Sequence, residues 1–257
     1  MRFELKLTVN TAKRGSMLPL NYQYELSSWI YNVLNEGDPL FASWLHDHGY
    51  KANNRPFKLF TFSNLIIPEY RIHGGLIEII SREIFLILSF LPDEAITPFI
   101  NGLFKGKDLM IGNINRQVAF EISSIRAIPE IDFKAKMKFQ TISPIFLSTK
   151  DKVSEKQIHL SPNSNAYSNL IHQNLLEKAK SIPKIIQEQD YPNTQIKLLN
   201  NPKSKLITLK SNTSQMSQIR AFHYTFEIAG HPDLIRIGYY AGFGRLGSQG
   251  FGCVSAY

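Results

Sequence analysis

The order in which two hydrophobic periods follow one another limits the fold of this chain more than any single motif does. Phe3, Leu5, Leu7 and Val9 alternate with Arg2, Glu4, Lys6 and Thr8, the period of two expected of a half-buried strand. Beyond the break at Gly15 to Pro19, the residues Leu26, Trp29, Ile30, Val33 and Leu34 recur at helical spacing between Tyr22 and Asn35, and Gly37 with Pro39 ends that pattern. A short helix over Leu40 to His48 stops at Gly49. Alternation returns over Phe57 to Leu65, and Leu76 to Ile80 with Ile84 to Leu88 predicts a hairpin around Ser81-Arg82-Glu83. Pro92 opens a helix that runs through Phe99, Ile100 and Leu103, and Val118 to Ile125 is the next strand. The order β, α, β, β, α, β is that of a ferredoxin-like unit, an α+β arrangement in which two helices cover one face of a single sheet.

The rest of the chain repeats the theme. It begins with Phe139 to Ile145, the polar stretch Lys150 to Asn165 reads as a loop, and Tyr167 to Ile182 as a helix. Gln195 to Leu199 and Leu206 to Lys210 read as strands, Ile219 to Ala229 as one strand with Ala221, His223, Thr225 and Glu227 on one face, and Leu234 to Gly242 as a last helix. The charged connector around Pro129, between Ala127 and Ala135, divides the chain into residues 1–128 and 129–257. No apolar run approaches the roughly 20 residues a bilayer requires, and the N-terminus lacks the apolar block of a signal peptide. These features point to a cytoplasmic protein without a membrane anchor. A single cysteine, Cys253, excludes an internal disulfide, a thiol redox pair and a thiolate zinc site. The 29 lysines and arginines against 21 acidic residues leave a net charge of +8, which favours polyanionic partners.

Three segments carry the residues from which chemistry can be built. The segment Gly242-Phe243-Gly244-Arg245-Leu246-Gly247-Ser248-Gln249-Gly250-Phe251-Gly252 concentrates glycines where the chain must take φ > 0 or admit another backbone closely. With Arg245 beside exposed amides it suits a phosphodiester backbone. A tight connection explains the same composition equally well. It is neither a Walker loop nor a dinucleotide fingerprint. The segment Leu45-His46-Asp47-His48-Gly49-Tyr50 supplies histidines able to exchange a proton near neutrality. Solvated histidines at a helix C-terminus are the competing explanation. Spaced at i and i+2 on a helix, His46 and His48 point apart, and no metal site is expected of them. Lys134, Lys136 and Lys138 would share one face of an extended segment, able to follow an RNA backbone or to block edge pairing. Tyr31 lies off the main apolar stripe of its helix, free to face the helix bearing His46.

Taken together, these segments resemble the CRISPR-associated repeat-cleaving endoribonucleases of the Cas six family, within the repeat-associated RNA-binding superfamily. The resemblance rests on the Met1-Arg2-Phe3 strand, the helix containing Tyr31, Leu45-His46-Asp47, Phe57-Lys58-Leu59-Phe60-Thr61-Phe62-Ser63, Thr141-Ile142-Ser143-Pro144-Ile145, and the glycine loop. It implies two tandem ferredoxin-like (RRM-like) domains. The first carries the catalytic residues and the second binds RNA through the C-terminal glycine-rich loop. It further implies cleavage of precursor CRISPR RNA repeats without metal or cofactor, by 2′-hydroxyl attack that leaves a 2′,3′-cyclic phosphate. On this resemblance His46 is the general acid/base, Tyr31 its partner across the site and Lys58 the charge stabiliser, with His48 as the alternative histidine and Lys51 or Arg55 as alternative cations. RNA is expected at Gly242, Gly244, Arg245, Gly247, Gly250 and Gly252 and at Lys134 and Lys136. The protein is expected as a monomer or homodimer, with other CRISPR effector subunits as further partners. A non-catalytic repeat-binding subunit of an effector complex is the competing function. A generic RRM-like protein is disfavoured, because no Lys/Arg-Gly-Phe-Gly-Phe-Val-x-Phe strand motif is present.

Overall fold

The alternation at the N-terminus places Arg2–Val9 at the middle of a sheet, with Phe3, Leu5 and Leu7 buried and Glu4, Lys6 and Thr8 on the wetter face. The computed structural model describes residues 1–106, 108–113, 115–150, 157–182, 191–211 and 213–257. The first sheet is antiparallel and runs Phe60–Phe62, Glu83–Phe90, Arg2–Val9, Arg116–Ala127, Asp108–Asn113. Leu5 sits between Leu86 and Ile125, and Leu7 between Ile84 and Ile122, so apolar side chains line up across three strands. Without its outer strand Asp108–Asn113, the spatial order is second, third, first, fourth, the ferredoxin-like order.

Two helices cover this sheet, α1 (Gln23–Gly37) through Leu26, Ile30, Val33 and Leu34, and α3 (Ile96–Lys105) through Phe99 and Leu103. Between them α2 (Pro39–Asp47) starts at Asp38, whose carboxylate accepts from the Phe41 amide at 3.0 Å, with Pro39 in the first turn. Gly37 and Gly102 let the helices touch backbone to backbone: a Cβ on Gly102 would lie 1.7 Å from the Val33 carbonyl oxygen.

The second sheet repeats the order, as Gln195–Leu198, Thr225–Ala229, Lys136–Thr141, Val254–Ala256. The helices α4 (Tyr167–Lys180) and α5 (Pro232–Ala241) contribute to its core. That core stacks Phe139, Phe226 and Phe243 with ring centroids 5.5 to 5.9 Å apart. The chain is thus a tandem of two ferredoxin-like folds, and no helix among the described residues is long and apolar enough to cross a membrane.

Several local expectations need correction. Leu76–Ile79 and Glu83–Phe90 are strands but not a hairpin: the first pairs with Met17–Pro19 and Tyr70–His73, the second with Arg2–Val9 and Phe60–Phe62. Periodicity locates a strand without choosing its partner. Phe57 to Leu65 is not one strand either, because Leu59 takes φ 53° and separates Arg55–Phe57, paired with Tyr50–Ala52, from Phe60–Phe62. Ile219 to Ala229 breaks at Tyr224 into Ser217–His223 and Thr225–Ala229, which enter different sheets. There the Thr141 hydroxyl accepts the Tyr224 amide at 3.1 Å. The stretch Lys150 to Asn165 is not all loop: the strand Gln157–His159 lies within it and pairs with Ser148–Lys150, and its residues 151–156 lie outside the described residues. Lys134 precedes the strand Lys136–Thr141 rather than belonging to it.

Because Gly102 meets carbonyl oxygen rather than a yielding side chain, Gly102→Ala should destabilise the fold by about 1–3 kcal/mol despite alanine's better helix propensity. Urea unfolding should show a lower midpoint at unchanged slope.

Candidate active site and RNA groove

Helix periodicity sets the first pair of groups. Tyr31, on α1, meets His46, in the last turn of α2, with ring centroids 5.5 Å apart and planes at 83°. Phe60 supports the tyrosine from below at 5.6 Å. The His46 side chain is 70% exposed, and its Nδ1 lies 2.9 Å from Asp47 Oδ1. That hydrogen bond is the main cause holding the Asp47 carboxyl below its ordinary pKa. With Nδ1 engaged, Nε2 is the nitrogen left for a substrate. Burial raises the Tyr31 phenol to about 12, against a smaller lowering by the nearby Ser248 side chain. At neutral pH it is a protonated donor.

Lys58 approaches from the loop after Arg55–Phe57, and its Nζ donates to the carbonyls of Leu45 and His46. These carbonyls lie in the last turn of α2, where orphan acceptors and the helix dipole favour a cation. Partial burial pulls the Lys58 pKa down. An ammonium has three donors, so one remains beyond the two carbonyls. Lys51 and His48 are exposed, whereas Arg55 is bound to Glu177 of α4 at 2.9 and 3.2 Å.

The glycine segment does not stand out in solvent. Gly242, Gly244, Gly250 and Gly252 are buried, wedged between the edge strand Phe60–Phe62 and residues 144–146. At Gly252 (φ 81°) a Cβ would lie 2.1 Å from the Phe243 carbonyl oxygen, and at Gly244 (φ 82°) 2.5 Å from that of Phe146. Amides expected to be free are paired: Phe243 donates to Gly252 at 2.9 Å, Arg245 to Phe146 at 2.8 Å, and Gly252 to Pro144 at 2.9 Å. Gly242, Gly250 and Gly252 thus pack against neighbouring backbone and side chains. Gly244, Arg245 and Gly247 border a groove of about 940 Å³ between the two folds, which Lys58, Ser248 and Lys150 also line. Lys134 and Lys136 lie apart from it, each near a carboxylate, Asp132 at 3.8 Å and Glu227 at 3.1 Å.

Two residues of the groove escape sequence reasoning. Lys178 is buried on α4, and its Nζ donates to the Gly242 and Gly244 carbonyls, the latter at 2.8 Å. Ser248 links the two folds, its carbonyl accepting the Ser27 hydroxyl of α1 at 2.6 Å. Neither has a local signature, since a lysine in a helix ordinarily reads as solvated. Among the described residues no three His, Cys, Asp or Glu side chains gather as a metal cage.

Burial lowers the Lys178 pKa to about 7. The unfolded lysine keeps its proton up to about pH 10.4, so between the two values the unfolded chain binds the extra proton. Stability of the wild type relative to Lys178→Met should therefore rise from pH 7 to pH 10, measured as the difference between their urea unfolding free energies.

Family models match both halves of the chain, CRISPR-associated protein Cas6, N-terminal, over residues 17–125 and CRISPR associated protein Cas6, C-terminal, over residues 128–256. A CRISPR-associated endoribonuclease Cas6 1 of Methanocaldococcus jannaschii is 31% identical over 256 residues, covering 99% of this chain and 92% of that protein. The solved structure of a Cas6-related protein of Pyrococcus furiosus superposes with a TM-score of 0.81 at 28% identity, over 100% of this chain and 98% of that one. A RAMP protein described as binding different RNA substrates superposes with a TM-score of 0.82 at 25% identity, over 100% and 99%.

Proposed function

The chain belongs to the Cas6 family of CRISPR-associated proteins, and from that premise we propose that it binds the repeat of precursor CRISPR RNA and cuts it as an endoribonuclease. The observation that carries the catalytic reading is the Tyr31–His46 pair, with Lys58 donating to the His46 carbonyl and itself lining a groove that Lys150 and Arg245 also border. Residues 1–128 supply this chemistry and residues 129–257 hold the RNA along Gly244, Arg245, Gly247 and Lys150. The enzyme works in the cytoplasm, as a monomer or homodimer, and passes its product to effector subunits.

His46 Nε2 takes the proton of the 2′-hydroxyl beside the scissile phosphate. The 2′-oxygen attacks phosphorus, the bond to the 5′-oxygen breaks, and that oxygen leaves as a hydroxyl after receiving a proton from the imidazolium. The products are a 2′,3′-cyclic phosphate and a 5′-hydroxyl. No metal enters these steps. Tyr31 stays protonated and donates a hydrogen bond to the reacting group, while the third Lys58 donor meets the charge that develops on the non-bridging oxygens.

Cleavage of a repeat-containing transcript in EDTA tests this reading. Wild type should cut, His46→Ala should be slower by at least about 10²-fold, and 2′-deoxy substitution at the cut nucleotide should stop the reaction with binding intact. Tight binding without cutting by wild type would make the protein a non-catalytic repeat-binding subunit instead. Lys58→Met and Lys51→Met separate the two candidate cations: a slower rate at unchanged RNA affinity is expected of the first only. Affinity should fall as salt rises, because the groove's cations release phosphate counterions.

A further inference from the structure

The wall that α4 gives to the groove between the two folds is a helical stripe of Leu170, Gln173, Asn174, Glu177 and Lys178. Two of its polar side chains are engaged within the protein. Glu177 holds Arg55, and the Lys178 ammonium is bound to the Gly242 and Gly244 carbonyls. Asn174 is different. It is only 7% exposed, and among the described residues no donor, from its own helix or from a neighbouring segment, meets its buried Oδ1. Asparagine is a poor helix former, and a buried amide carbonyl without a donor costs stability. Leucine, of similar size, would incur neither cost. The fold therefore gains nothing from an amide at this place.

We propose that Asn174 determines part of the sequence specificity of the protein, reading one base of the repeat RNA that enters this groove. The inference rests on the repeat-binding half of the reading above and does not depend on cutting. A carboxamide presents an acceptor and a donor side by side. That pattern matches a base edge on which an exocyclic amine lies beside a ring nitrogen, as in adenine or cytosine, so that two hydrogen bonds form together. Rotation about the last torsion of the side chain brings the carbonyl to the groove, where the base supplies the donor that the protein does not. Unpaired RNA bases are read on such edges. The rest of the groove suits the same guest. Lys150 and Arg245 line it and can meet phosphates, while Leu170 and Phe57 offer apolar surface to a base. Phosphate contacts position a strand without reading it, so discrimination falls to uncharged groups such as Asn174.

Equilibrium binding of the host's own CRISPR repeat, blocked against cutting by 2′-deoxy at the cut nucleotide, tests the proposal with a panel that changes one base at a time. Wild type should lose about tenfold or more in affinity when the adenine or cytosine read by Asn174 becomes uracil or guanine. Asn174→Ala and Asn174→Leu should erase that discrimination at this one position and leave every other position as in wild type. Asn174→Leu should also unfold in urea at a midpoint no lower than wild type, because it removes an unpaired buried carbonyl. An unchanged panel, a uniform loss at all positions, relaxation at a uracil or guanine, or a leucine variant that unfolds well below wild type would overturn the proposal while leaving repeat binding by the wild type intact. Wild type that binds the repeat no better than a scrambled RNA would instead remove the binding reading, and this inference with it.

Discussion

Backbone packed against backbone at residues 242–252 is the constraint on which the rest of this molecule depends. The strand Phe60–Phe62 is an edge of the first sheet, and an unpaired edge is a liability unless something covers it. Here the glycine segment covers it. At Gly247 a single added carbon would stand 2.8 Å from the Phe60 carbonyl oxygen, so this approach is available only to chain without a side chain there. Leu59 and Leu91 of the first half pack into the core of the second beside this junction, and the Arg2 guanidinium, over the Tyr239 ring at 4.2 Å, donates to the Val254 carbonyl. The two folds are joined beside α1 as well, where the Ser27 hydroxyl donates to the Ser248 carbonyl.

The same electrostatic device appears twice around the groove. A helix leaves its last carbonyls without partners, and a lysine from another segment supplies the donors. Lys58 does this for α2 through Leu45 and His46, which fixes the turn that carries the imidazole. Lys178 does it beyond α5 through Gly242 and Gly244, which fixes the glycine segment. In both cases burial works against the charge and lowers the pKa, while carbonyl acceptors offset the loss of water. Cationic side chains that would read as a simple RNA-binding surface are therefore partly structural. Arg55, engaged by Glu177, is a third example.

Much of the fold was legible because burial on one face imposes a period. The strands Arg2–Val9 and Arg116–Ala127 and the five α-helices among the described residues lie where alternation or helical spacing puts them. Failures came where the period persists but the partner changes. Nothing in Leu76 to Leu88 distinguishes a hairpin from two strands of different sheets, and nothing in Ile219 to Ala229 announces the break at Tyr224, because both are decided by distant segments. Short strands such as Val254–Ala256 complete a sheet with too few residues to show alternation.

For the site, the sequence by itself determined which chemistry was available: a histidine at a helix end, a tyrosine off the apolar stripe of another helix, a lysine two residues before the strand Phe60–Phe62, and glycines crowded near the C-terminus. These are properties of residue type and local spacing. Only the tertiary structure decided that Lys58 spends two donors on α2, that Lys134 and Lys136 stand apart from the groove, that the glycines are buried, and that Lys178 and Ser248 matter. The physical reason is that hydrogen bonds to backbone carbonyls and close backbone contacts join residues up to 252 positions apart, as between Arg2 and Val254. A carbonyl has no identity in sequence, so its partners are set by where the chain brings it.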